Sequence, residues 1–193
     1  MGEKTELVTE DWRNNLLEKE LLGAIAAGKA PRFEVFVFDF RKQRRVCEGQ
    51  VEGSFQVSLG MLLDGQLVEV AEEQKLTRCE KKGDGFEGRI GSVDLMERAL
   101  RKALLNRWPQ IRWHLRQTRI VSYSATALDY QHSHRVQVTF GVVCRDDQAP
   151  RILVREGVDT LGVTFDSLTT IYHWVAWRLL RRLRGEKRGN GKR

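Results

Sequence analysis

Phe55-Gln56-Val57-Ser58-Leu59-Gly60-Met61-Leu62 is echoed 81 residues later by Val136-Gln137-Val138-Thr139-Phe140-Gly141-Val142-Val143. Both stretches alternate apolar and polar residues with a period of two, the signature of a strand with one buried face. Each runs into a turn containing Asp, Asp64-Gly65 in the first copy and Asp146-Asp147 in the second. A further strand follows each, Leu67 to Ala71 and Ile152 to Arg155, and another precedes each, Arg32 to Phe40 and Thr118 to Ser124. Each copy then reaches a glycine and a helix: Gly91-Ser92-Val93-Asp94 before Leu95 to Leu105, and Gly162-Val163-Thr164-Phe165-Asp166 before Ser167 to Leu183. Repetition at this length marks duplicated supersecondary units.

The chain therefore reads as an α+β protein of two β-β-β-α units, 32–106 and 117–184, whose antiparallel sheets are backed by helices. A single helix covers one sheet face, so two such units are expected to pair around a shared core. In the first strand Phe33, Val35, Val37 and Asp39 fall on one face and Glu34, Phe36, Phe38 and Phe40 on the other, which gives two mostly apolar faces. The first helix places Leu95, Ala99, Leu100, Ala103 and Leu104 inward and Glu97, Arg98, Arg101 and Lys102 outward, and Trp108-Pro109 stops it. Glu72 to Glu87 reads as an extra charged loop. Residues 1–31 form an N-terminal helical arm from Thr9 to Gly28, with Trp12, Leu16, Leu22 and Ile25 as its apolar side. Gly28 and Pro31 end it.

The chain has 193 residues and a formal charge of +7, with 41% apolar and 31% charged residues. From Arg181 to Arg193 seven Lys/Arg stand against one Glu, a net of +6, so the rest of the chain carries about +1. The excess belongs to a basic tail, 185–193, expected to be disordered, and that weakens a nucleic-acid reading of the whole surface. No stretch approaches the roughly 20 apolar residues of a membrane span, and the charged start lacks a signal peptide's apolar region, so a cytoplasmic protein without membrane contact is expected. Cys47, Cys79 and Cys144 are odd in number and widely spaced, which suggests neither a disulfide framework nor a zinc pair.

His132-Ser133-His134 has the spacing of a metal pair on a strand face but lacks a convincing third ligand, so no metal is expected. Gly83 to Gly91 could hold an anion on free amides, but Asp84-Gly85 reads more readily as an ordinary turn. Tyr172, Trp174 and Trp177 cannot share one helix stripe, so part of that aromatic surface has to meet the N-terminal helix or another subunit. Arg178, Arg181, Arg182 and Arg184 make a stripe suited to phosphates, or a solvated helix end. No nucleophile, base and cofactor group can be assembled by motif, so neither an enzyme nor a cofactor is expected.

Arg98-Ala99-Leu100-Arg101-Lys102-Ala103-Leu104, then Trp108-Pro109 and Leu115, and again Thr160-Leu161-Gly162-Val163-Thr164, give the chain its family likeness. Over residues 32 to 183 it resembles the C-terminal regulatory, dimerising domain of 2-isopropylmalate synthase and citramalate synthase. The resemblance implies a stand-alone, non-catalytic homodimer. It implies too that a branched-chain amino acid, leucine or isoleucine, binds near a dimer interface through Gly91, Ser92, Val93, Asp94, Gly162, Val163, Thr164 and Asp166. A catalytic barrel would then belong to a separate subunit. Where the family has Gly-x-Gly-Pro-Val-x-Ala, this chain has Arg89-Ile90-Gly91-Ser92-Val93-Asp94-Leu95, and Gln117-Thr118 replaces the family's Asp-Tyr. Leu95 fills space that a small residue leaves for the effector. The alternative expectation is a structural or interaction module that has lost the pocket, its basic tail docking an acidic partner or RNA.

Overall fold

The computed structural model describes residues 16–47, 50–78, 92–128, 135–145 and 147–189. The helix start at Thr9, Trp12, Cys79, the Gly83 to Gly91 stretch with Gly91 itself, Asp129, His132, His134 and Asp146 lie outside them. The chain is α+β, with two three-stranded antiparallel sheets, each with its strands in chain order. Contacts divide it into a unit of Arg32–Gln110 and a unit of Met1–Pro31 with Ile111–Arg193.

In the Arg32–Gln110 unit, β1 (Phe33–Cys47) pairs with β2 (Gln50–Leu63), which pairs with β3 (Gln66–Arg78). The β2–β3 hairpin turns on Asp64 and Gly65, both at positive φ (47° and 79°), the two-residue turn whose twist matches the strands it joins. Arg32 N–H donates to the Asp64 carboxylate at 2.8 Å, tying the turn to the start of β1. The charged stretch expected to loop out from Glu72 continues β3 to Arg78. Its pairing with β2 satisfies the backbone groups on that side, and Glu72 itself meets charges on the covering helix.

That helix, α2 (Ser92–Arg107), buries Leu95, Met96, Ala99, Leu100, Ala103 and Leu104. They pack over Val57, Leu59, Met61 and Leu63 of β2 and Val68 and Val70 of β3. The inward set expected from the 3.6-residue period is the buried set, with Met96 added.

β1 departs from its expected alternation. Val35 pairs with Met61 and Val37 with Gly60, so Phe36 is an extra residue, a β-bulge. Beyond it the phase inverts: Phe38 pairs with Leu59 and Phe40 with Val57, on the same face as Phe33 and Val35. The strand has one apolar face, interrupted, where unbroken alternation suggests two. The same device recurs in the other unit, where β4 (Arg119–Ala127) pairs Ile120 with Val142 and Ser122 with Gly141 of β5 (Val136–Val143), leaving Val121 as the bulged residue. The repeat thus extends to an irregularity at corresponding positions.

In this second unit β5 pairs with β6 (Arg151–Gly157), and Val138, Phe140, Val142 and Leu153 are fully buried. Connecting the units, Pro109–Ile111 makes a 3₁₀ turn and Arg112–Leu115 the short helix α3. The long helix α4 (Thr160–Gly189) packs on β5 and β6 and begins and ends outside the expected 167–183. Gly162 to Asp166 are helical and do not form a loop before the helix, and residues 185–189 of the expected disordered tail belong to α4.

The N-terminal helix α1 (Leu16–Ala26) packs on α4 and β6, so the arm is a layer of the second unit. It ends as Gly28 predicts. Gly28 takes φ +61°, its N–H reaches the Ile25 carbonyl at 2.9 Å, and Lys29 N–H reaches the Ala24 carbonyl at 2.8 Å, closing a Schellman motif. Its buried stripe, however, is Leu17, Leu21 and Ala24, while Leu16, Leu22 and Ile25 are exposed, the reverse of the expected side. Glu18 and Glu20 flank the buried stripe and set the rotation: Glu18 pairs with Arg155 at 2.6 Å, and Glu20 accepts from Trp174 Nε1–H at 3.0 Å. Tyr172 and Trp174 are both fully buried, and α1 meets the aromatic surface of α4 at Trp174. Among the described residues no helix is long and apolar enough to cross a membrane.

Candidate functional site

Asp159 stands immediately before the first turn of α4, and its side chain caps the helix. One carboxylate oxygen accepts from Leu161 N–H at 3.2 Å and the other from Gly162 N–H at 2.7 Å. The amides that could hold an effector's carboxylate are thus met by a carboxylate of the chain itself. Thr164 is buried, with its hydroxyl 3.2 Å from that of Tyr123 on β4, and Val163 packs close over Gly157. Asp166 is exposed on the next turn. Gly162, Val163, Thr164 and Asp166 therefore share one stretch of helix, on which Asp166 is the outward charge. In the Arg32–Gln110 unit, Ser92, Val93 and Asp94 form the first turn of α2. Ser92 and Val93 are half-buried, Asp94 is exposed, and Leu95 beside them is buried.

A second cluster surrounds the C-terminal half of α4. Arg178 Nη1 donates to Asp147 Oδ1 at 2.9 Å and Oδ2 at 3.2 Å, and its guanidinium lies 4.6 Å from the centre of the Trp174 ring. Asp147 Oδ2 also accepts from Cys144 N–H at 2.9 Å, while Asp147 N–H donates to the Cys144 carbonyl at 2.9 Å, closing a turn at the end of β5. The Asp147 side chain is 5% exposed and Arg178 29%, so this pair is screened by water far less than a surface pair. The Cys144 thiol is buried, with Thr118 Oγ1–H pointing to its sulfur at 3.8 Å. Burial pushes its pKa above the ordinary thiol value, which keeps it protonated and unreactive at neutral pH.

Two clefts flank this half of the helix. A cavity of about 280 Å³ opens among His114, Cys144, Arg145, Arg178, Arg181 and Arg182. A larger one of about 550 Å³ lies between α1 and α4, lined by Gly23, Ala24, Lys29, Trp177, Arg181 and Arg184 among others. Arg181 sits between the two, 5.9 Å from the centre of the Trp177 ring. Among the described residues no group of three or more His, Cys, Asp or Glu side chains could hold a metal ion.

The arginine run of α4 is legible in the sequence, but Arg145, His114 and the Asp147 anchor are not. Asp147 lies 31 residues from Arg178, and only the return of β6 and α4 brings them together. Compared with known proteins, the chain matches no family model and no curated protein.

Proposed function

We propose that this chain is a non-catalytic regulatory and dimerising module of the doubled β-β-β-α kind that its sequence resembles, with a small branched-chain amino acid as effector. The observation that supports this reading is the duplication, which repeats strand order, covering helix and bulge in both units. Asp166 on α4 and Asp94 on α2 are the carboxylates suited to an ammonium group, each in its own unit. The effector's carboxylate needs donors other than the Gly162 amide, which Asp159 holds. Calorimetry with leucine, isoleucine and valine is the test. Heat and a raised melting temperature with wild type, lost in Asp166→Asn, are expected. No heat and no shift with any of the three at millimolar concentration rejects the effector. Sedimentation tests the homodimer separately.

A second reading is favoured by α4. Because the helix runs to Gly189, Arg178, Arg181, Arg182 and Arg184 are carried on an ordered element, as an interaction module for an acidic partner or RNA needs. RNA binding that falls steeply with salt and drops on reversing Lys29 and Arg184 supports it, and binding indifferent to both rejects it.

A further inference from the structure

The geometry points to a binding site for a small phosphate-class oxyanion in the cavity between α3, the end of β5 and the C-terminal half of α4. Four arginines and a histidine line it, and no carboxylate does among the described lining residues. Asp147 pairs with Arg178. Arg145 and Arg181 make no ion pair among the described residues, so these two guanidinium groups bring uncompensated like charge to this space. His114 of α3 also lines this space, and its Nδ1 is buried with no hydrogen-bond partner among the described residues.

Arg178 is the organised member of the set. Its Nη1 is shared between the two carboxylate oxygens of Asp147 and its guanidinium lies over the Trp174 ring, which anchors the group, and among the described residues its Nε and Nη2 donors have no hydrogen-bond partner. An anchored guanidinium, joined by donors from a loop and a neighbouring helical turn, approaches an oxyanion from several directions, which suits a tetrahedral dianion with more oxygens to share than a planar carboxylate. Leu179 and the protonated Cys144 form the apolar part of the lining. At about 280 Å³ the cavity falls just below the roughly 300–1,000 Å³ of ordinary ligand sites, which fits a single phosphoryl group rather than a polymer. This site is independent of the amino-acid effector, and loss of either leaves the other standing.

The test is calorimetry on the full chain with inorganic phosphate, at fixed ionic strength, beside acetate, chloride and a single-stranded oligonucleotide. Phosphate is expected to bind more tightly than acetate or chloride. Arg145→Gln and Arg181→Gln should each weaken it by about tenfold with unchanged melting temperature, and Arg184→Gln, on the neighbouring cleft, should not. Phosphate binding no tighter than acetate overturns the proposal, and so does wild-type affinity in the Arg145→Gln variant. An oligonucleotide that binds where phosphate does not overturns it too, and assigns the arginines to a polyanion surface. Resonance shifts of His114, assigned through His114→Gln, locate the bound anion. Binding that leaves them unmoved places it elsewhere and overturns the site.

Discussion

A methyl group on Gly60 would stand 2.8 Å from Cε2 of Phe36, the bulged residue of β1 across the sheet. Gly141 of β5 holds the corresponding place opposite the bulge at Val121, where an added methyl would meet the Ser122 hydroxyl. Glycine fits both positions because the bulge brings the partner strand's side chains over it, and neither glycine is at a positive φ.

Gly60→Ala is therefore expected to destabilise the Arg32–Gln110 unit by about 1–2 kcal/mol, overpacking outweighing the backbone-entropy gain. Phe36 is 54% exposed and its ring is free to be trimmed, so Gly60→Ala with Phe36→Ala should recover part of the loss. A double-mutant cycle by urea unfolding measures the coupling, and strict additivity would refute the clash.

Asp147→Ala removes the acceptor of both Arg178 and the Cys144 amide. A loss of about 2–3 kcal/mol is expected, below the full figure for a buried pair because Arg178 is part-exposed. Asp147→Asn keeps an acceptor for the amide and should cost about half as much. Equal losses in the two variants, in denaturant titration, would show that the charge is immaterial.

Leu17→Ala tests whether α1 is a structural layer of the second unit. Leu17 is fully buried, and its truncation should cost about 2–4 kcal/mol. Hydrogen exchange should then report earlier opening of α4 and β6, which α1 covers, with the Arg32–Gln110 unit unaffected.

The Glu72 carboxylate lies below its usual range, first because Lys102 Nζ–H donates to it at 2.8 Å and then because Arg98 donates to it at 2.7 Å. A depressed carboxylate contributes stability that is present above its unfolded value and is lost as pH falls through its folded value. Acidification should thus weaken the Arg32–Gln110 unit, and Glu72→Gln should flatten that slope by about 1 kcal/mol. Since Arg98 and Lys102 are 43% and 51% exposed, the effect should shrink in high salt. An unchanged pH profile in the variant would remove Glu72 from the account.

Cys144 should resist alkylation at neutral pH in the folded protein, since burial holds its thiol protonated. Labelling followed by peptide mass spectrometry should track unfolding rather than thiol chemistry. Fast labelling of Cys144 under native conditions would contradict the buried site.

The duplicated β-β-β-α plan, the Asp64-Gly65 turn, the Gly28 helix stop and the buried face of α2 were all legible from local rules. Periodicity and turn chemistry act between residues a few positions apart, and a repeat exposes them twice. The bulges hid from alternation because one inserted residue inverts every face beyond it, so Phe36 and Phe38 look alike in sequence and part company in the sheet. The side of α1 that is buried depended on Arg155 and Trp174, more than 130 residues away, choosing between two apolar stripes of similar strength. Likewise the sequence showed an arginine run, but tertiary structure decided its surroundings. It extended α4 past the expected tail, clamped Arg178 on Asp147 and drew Arg145 and His114 around the same cavity. Charges distant in sequence converge only when strands and helices pack, and that convergence follows from the whole fold rather than from any local pattern.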